Sequence, residues 1–177
     1  MNLENSKTWD KSFCDKVIEI FCNDDIMENY FNHNRKYKRH ILHQQEYDKL
    51  SKQMFLLEHQ KVCWVWESVD KLIKANLGEN HYLTTWLIGL RYDEGDYFLE
   101  HKDGYGEGER YLSGGIELST IDKHEGGIYT IEGEAKRNKE GVLFVHSPSA
   151  SHEITKVTKG TRYSLHFCIG KEPSTLI

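Results

Sequence analysis

No long apolar run occurs in this 177-residue chain, so no segment reads as a membrane-spanning helix, which needs about 20 consecutive apolar residues. Proline is nearly absent, at 2 residues, and glycine shows no tripeptide period. Collagen-like and proline-rich linker classes are therefore excluded. The four cysteines, Cys14, Cys22, Cys63 and Cys168, form neither a CxxC pair nor a zinc spacing. The opening stretch Met1–Glu4 lacks the basic and apolar regions of a secretory signal. The cysteines thus read as buried thiols of a reducing compartment, and a cytoplasmic location is expected. Neither sign of charge dominates: 23 Lys+Arg against 28 Asp+Glu leave a net charge of -5. Such a balance steers the molecule neither to nucleic acid nor to a membrane surface.

What is present is 14 Gly, 12% aromatic residues and 10 His. Histidine is the commonest metal ligand, so its abundance invites a search for a site. The chain then divides by period. From Asp10 to about Gly78 the apolar spacing is helical. Phe13, Val17, Ile20 and Phe21 form one stripe, with Asp10 or Ser12 as N-cap. A second stripe runs through Tyr47, Leu50, Met54 and Leu57, then continues or restarts through Val62, Val65, Val69, Leu72 and Ile73, with Gly78 as its stop.

Beyond Gly78, short β-branched and aromatic runs alternate with Gly, Asp and Asn breaks. Strands are expected near Tyr82–Tyr92, Tyr97–Lys102, Tyr111–Ser119, Ile128–Glu132, Gly141–His146, His152–Val157 and Arg162–Ile169. Helices first and strands after make an α+β chain with a sandwich, jelly roll or barrel. The expected organisation is one domain over 1–177, with a helical part over about 8–80 and a strand-rich core over about 82–170.

The chemistry-bearing pattern is His101-Lys102-Asp103. Residues i and i+2 of a strand share a face, so an imidazole and a carboxylate can address one ion. His152, 49 residues on, opens a later expected strand. Two His and one carboxylate leave open coordination positions, as in non-haem Fe(II) oxygenases. Ten residues after His152 stands Arg162, a permanent cation whose fork matches a carboxylate.

With those residues in view, Arg91-Tyr92 through Gly95, Phe98, His101, Asp103 and Gly104 resembles the metal-binding segment of Fe(II)/2-oxoglutarate dioxygenases of the prolyl 4-hydroxylase type. The likeness continues through Arg110, Leu112–Ser119, Glu125-Gly126-Gly127, Gly141–Phe144 and His152–Tyr163. The last of these is similar to the ending of the short bacterial and viral members. It covers roughly residues 82–170. The resemblance implies a double-stranded β-helix (a cupin-like jelly roll) with N-terminal helices packed on the barrel. It implies Fe(II) on His101, Asp103 and His152, and 2-oxoglutarate with its distal carboxylate on Arg162. Tyr92 and Ser113 would line the co-substrate pocket. The implied activity is hydroxylation of an unactivated C–H, above all of a prolyl or other side chain in a peptide or protein. It would consume O2 and convert 2-oxoglutarate to succinate and CO2, with ascorbate as candidate reductant. A small-molecule substrate fits the same chemistry.

Several residues stand apart from this pattern. Glu117 shares the Ser113 and Gly115 face, where a carboxylate would repel the co-substrate unless protonated or bridged by Arg162. It marks either an altered co-substrate site or a contact to a basic substrate. His146 reads as a packed residue or a neighbour of the site. Arg110 reads as a partner in a buried ion pair, Gly126-Gly127 as a bulge or tight turn, and Gly104–Glu109 as a substrate lid. Acidic segments 93–96 and 107–109 read as a rim favouring a basic substrate. Two alternatives stay open: a nucleic-acid or nucleobase oxygenase using Arg35, Lys36, Lys38 and Arg39, and a non-redox, cupin-like ligand-binding jelly roll.

Overall fold

The computed structural model describes residues 8–22, 50–51, 53–57, 59–60, 62–104, 110–136 and 139–173. Helix α1 (Lys11–Cys22) begins where Asp10 accepts a hydrogen bond from the Phe13 backbone N–H at 2.8 Å. That cap satisfies one of the first-turn donors with no partner inside the helix. Helix α2 (Cys63–Leu77) stops at Gly78, whose φ of 104° leads the chain away while its N–H bonds the Lys74 carbonyl at 2.8 Å.

The strands are β1 (Leu50–Ser51), β2 (Gln53–Leu56), β3 (His81–Tyr92), β4 (Tyr97–His101), β5 (Leu112–Glu117), β6 (His124–Gly126), β7 (Tyr129–Ile131), β8 (Glu134–Lys136), β9 (Leu143–His146), β10 (His152–Ile154), β11 (Val157–Gly160) and β12 (Arg162–Lys171). A major sheet has the order β2-β3-β12-β5-β9, a minor sheet β1-β4-β10-β7-β8, and β6 pairs with β11. All recorded pairings are antiparallel. The two five-stranded sheets are the walls of a double-stranded β-helix.

Alternation along the major sheet sorts its side chains into two cores. Leu87, Ile116, Leu165 and Phe167 point outward and pack under Val17 and Phe21 of α1 and Val65, Val69 and Ile73 of α2. Burying each such side chain contributes about 1.5–3 kcal/mol, which holds the helices on the barrel. Gly89 is what lets α1 settle: a Cβ there would lie 1.9 Å from Phe21 Cε1. The other face turns toward the minor sheet, where Ile88, Leu90 and Tyr92 meet Tyr129 and Ile154.

The helical expectation for Tyr47–Leu57 fails where the structure describes it. Leu50–Ser51 pairs with β4 and Gln53–Leu56 with β3, in the register Gln53↔Arg91 to Leu56↔Ile88. Runs this short fit either period, and the open edges of both sheets decide the outcome by taking up the backbone donors. The expected strand His152–Val157 is two strands, β10 and β11. The Gly126-Gly127 turn does have the expected left-handed backbone, with φ of 72° and 61°, and sits opposite a register shift in β11. No helix among the described residues is long and apolar enough to cross a membrane.

Candidate metal centre

His101 ends β4, and the antiparallel register places His152 of β10 directly opposite it. This pairing closes the 49-residue gap between them. Asp103 follows two residues after His101. The ligand atoms of all three lie within 4.8 Å of one another. Asp103 Oδ1 is 3.8 Å from His101 Nε2 and 3.6 Å from His152 Nε2. The rings are aimed from behind. His101 Nδ1 bonds the Leu99 carbonyl at 2.8 Å, and His152 Nδ1 bonds the Ala150 carbonyl at 3.1 Å. A carbonyl only accepts, so each Nδ1 carries a proton, and in the neutral ring this leaves the lone pair on Nε2, the tautomer a metal needs. Arg110 Nη1 holds the Asp103 and Gly104 carbonyls at 3.2 and 3.1 Å. Its described role is thus to hold backbone at the site, and its charge also faces Asp103.

Asp103 Oδ2 faces two further histidines, His166 Nε2 of β12 at 3.7 Å and His146 Nε2 of β9 at 4.0 Å. Burial pushes the Asp103 carboxyl up, but His166, Ser113, His152 and Arg110 outweigh it and hold it below the usual carboxylate range. Burial lowers the His146 pKa, which favours its neutral form. With Nδ1 donating to the Ser147 carbonyl at 2.9 Å, its Nε2 is an acceptor. A buried acceptor therefore faces a buried carboxylate oxygen, and neither His146 Nε2 nor Asp103 Oδ2 has a hydrogen-bond partner. Orphaned buried polar atoms are costly. A cation shared by these donors removes the cost, so the residues fit a metal ion.

The inner face of β12 continues from His166 through Ser164 to Arg162, four residues or about 13 Å along the strand. Arg162 is 1% exposed and Glu117 5%. Arg162 Nη2 donates to Glu117 Oε2 at 2.5 Å, and Nη1 to Ser164 Oγ at 3.4 Å. The guanidinium carbon stands 5.3 Å from the centre of the Tyr92 ring, a cation–π distance. Burial raises the Glu117 carboxyl more than Arg162 pulls it down. Between the two ends, the Tyr92, Tyr129 and Ser113 hydroxyls and Glu117 Oε1 are buried without hydrogen-bond partners. Ser113 Oγ nevertheless lies close enough to Asp103 to help lower its pKa.

No protein-family model matches the sequence, and no curated protein aligns with it significantly. Solved structures do match. A prolyl-4-hydroxylase of Pseudomonas putida superposes with TM-score 0.63 at 16% identity, over 96% of this chain and 91% of that one. The viral collagen prolyl hydroxylase of Paramecium bursaria chlorella virus-1, solved with 2-oxoglutarate, gives TM-score 0.56 at 12% identity over 93% and 92%. A prolyl hydroxylase of Trichoplax adhaerens, bound to a hypoxia-inducible-factor peptide, gives 0.51 at 16% over 69% and 64%. The chain has their fold. The double-stranded β-helix with N-terminal helices packed on it is the expected fold class.

The structure brings His101, Asp103 and His152 together. It places Ser113 beside Asp103, and Tyr92 with Arg162 at the far end. His166, Tyr129 and Ser164 belong to the same interior and were not singled out in the sequence. The alternation Arg162-Ser164-His166 marks all three as one face, but nothing local says that Asp103 reaches His166. The acidic segment 93–96 is not a rim to the metal centre. It lies beyond Tyr92, the register partner of Arg162, and binds its own turn: Asp93 accepts from Arg91 Nε at 3.0 Å and Thr161 Oγ1 at 2.9 Å, and Asp96 from the Asp93 N–H at 2.9 Å. Residues 105–109 of the expected lid, and the cations Arg35–Arg39, lie outside the described residues.

Proposed function

We propose that the protein is an Fe(II)- and 2-oxoglutarate-dependent dioxygenase of the prolyl 4-hydroxylase type. The convergence of the His101, Asp103 and His152 ligand atoms, inside a fold shared with prolyl hydroxylases, carries this reading. In it, His101, Asp103 and His152 hold Fe(II), and Arg162 holds the far end of the 2-oxo acid. Tyr92, Tyr129 and Ser113 offer hydroxyls to the co-substrate between them. Bound iron, 2-oxoglutarate and O2 supply an oxidant for an unactivated C–H, with succinate and CO2 as co-products, and ascorbate can keep the iron reduced. The chain's own task is to hold ligand tautomers by the Leu99 and Ala150 carbonyls and to keep water from the interior.

The Trichoplax neighbour is bound to a peptide, which supports a prolyl or other side chain of a peptide or protein as the substrate. A cytoplasmic setting suits the unpaired thiols of Cys14, Cys63 and Cys168. The test is anaerobic titration of the Fe(II) protein with 2-oxoglutarate, then succinate release on admitting O2, followed by a peptide screen. A visible charge-transfer band and succinate are expected, and both should vanish in His101→Ala and Asp103→Ala. Failure of the native protein to give either overturns the reading.

A further inference from the structure

The polar end of the barrel interior is already neutralised by the chain itself. Arg162 and Glu117 are diagonal neighbours across the β12–β5 pair, where Glu117 registers with Ser164, two residues from Arg162. Both are removed from water and joined at 2.5 Å. The cation that would receive a co-substrate's second carboxylate thus already carries one. Adding another would leave two carboxylates and one guanidinium in a desolvated space, a net charge that burial strongly disfavours. The charged and titratable groups facing Glu117 do not relieve this. They are Arg162 of β12, the Tyr92 phenol of β3 and Glu140 before β9, and Glu140 adds further negative charge.

The hydrogen-bond inventory points the same way. The Ser119 backbone N–H lies close enough to the Glu117 carboxylate to help lower its pKa, but Glu117 Oε1 is buried without a hydrogen-bond partner. Arg162 already commits Nη2 to Glu117 Oε2 and Nη1 to Ser164 Oγ, and its fork of five N–H donors can still serve a further acceptor. A carboxylate tail can satisfy the arginine but not Glu117 Oε1. A carboxamide tail satisfies both at once, its carbonyl accepting from Arg162 and its NH2 donating to Glu117. A carboxylate fits equally well only if the site takes up a proton, which converts one of the two acids into a donor.

We infer that Glu117 is a specificity-determining residue of the co-substrate site: it selects 2-oxo acids with an uncharged, hydrogen-bonding tail, and admits 2-oxoglutarate only together with a proton. The inference rests on the oxygenase reading above and deepens it. The metal-binding end is common to both kinds of 2-oxo acid, so a comparison of the two isolates the tail.

The test uses full-length protein loaded with Co(II) as a redox-stable stand-in for Fe(II). It is titrated calorimetrically with 2-oxoglutarate and with its carboxamide, 2-oxoglutaramate. The native protein should bind the amide at least about tenfold more tightly than the diacid at pH 7.5, about 1.4 kcal/mol. Glu117→Gln, which keeps an acceptor for Arg162 but removes the charge, should move that ratio at least about tenfold toward the diacid, with Co(II) affinity unchanged. Should Glu117→Gln not fold, native protein titrated in two buffers of different ionisation enthalpy still decides. Net proton uptake on binding 2-oxoglutarate, and none on binding the amide, is expected. Equal affinities without proton uptake overturn the inference and leave the oxygenase reading intact. Co(II) binding without affinity for either 2-oxo acid overturns both.

Discussion

Removing one partner of the Arg162–Glu117 pair should destabilise the fold by amounts that differ in size and in their response to pH. Glu117→Leu strands a guanidinium that keeps its proton at any accessible pH. Its side chain is 2% exposed, so water cannot rescue it. Breaking a buried pair from one side costs about 3–5 kcal/mol. At about 2–4 °C per kcal/mol for a chain of this length, Tm should fall by about 6–20 °C. Arg162→Met strands a carboxylate instead, and a carboxylate can fold protonated. At pH 7, protonating a glutamate of ordinary pKa 4.5 costs about 3.4 kcal/mol, at about 1.36 kcal/mol per pH unit. That is a ceiling on the loss of the ion pair, and at pH 5 the ceiling is about 0.7 kcal/mol.

The sign follows from proton linkage. Burial raises the Glu117 pKa in the folded chain, so the folded state binds that proton more tightly than the unfolded state. Its contribution is complete below pH 4.5 and is lost as pH rises through the folded value. Removing Arg162, which pulls the pKa down, widens that window upward. Urea unfolding of metal-free protein at pH 5 and pH 7, followed by the fluorescence of the four Trp, separates the cases. Arg162→Met should recover most of its loss at pH 5, whereas Glu117→Leu should not. The double variant should return to within about 1 kcal/mol of the native protein. Equal losses for the two single variants at both pH values refute the reasoning, as does a cost under about 0.5 kcal/mol for both at pH 7.

Three further outcomes are expected. Divalent metal at one hundred times its Kd should stabilise the protein by about 2.7 kcal/mol, a rise of about 5–10 °C in Tm that His152→Ala abolishes; a full shift in that variant removes His152 from the site. His146→Ala should weaken Co(II) binding by about 10–100-fold, read by competition with a chromophoric chelator, and unchanged affinity assigns His146 to packing alone. Gly89→Ala should cost about 1–3 kcal/mol, because its Cβ meets the buried Phe21 ring. Adding Phe21→Leu should then destabilise Gly89→Ala less than it destabilises the native protein, and strict additivity in thermal melts counts against that contact.

The legible elements are those whose own side chains carry the signal. The α2 stripe ends at Gly78 because glycine alone adopts its φ of 104° without strain. Strands β3, β5 and β12 are long enough for alternation to show. β6 and β8, at three residues each, and β1 and β2 are not. They are strands because neighbouring edges need partners, a tertiary fact with little local trace. His101-Lys102-Asp103 is legible as a pair, but its union with His152 depends on the β4–β10 register, which only the resemblance of their order and spacing to the oxygenase pattern anticipates. His166 escapes notice for the converse reason: its face is local information, and its neighbour comes from the other sheet.

One departure from the apolar rule can be read directly. Alternation reserves the inner face of β5 and β12 for the barrel interior, yet the residues there are Ser113, Gly115 and Glu117, and Arg162, Ser164 and His166. Interior positions occupied by polar groups conflict with packing, and such conflicts persist where a ligand resolves them. At the metal end a cation would resolve the conflict, and ligand atoms of His101, Asp103 and His152 already converge there. At the other end Arg162 and Glu117 resolve most of it between themselves and leave Oε1 as the remainder. The metal end therefore resembles the oxygenase pattern read in the sequence, and the Glu117 end is where the sequence departs from it.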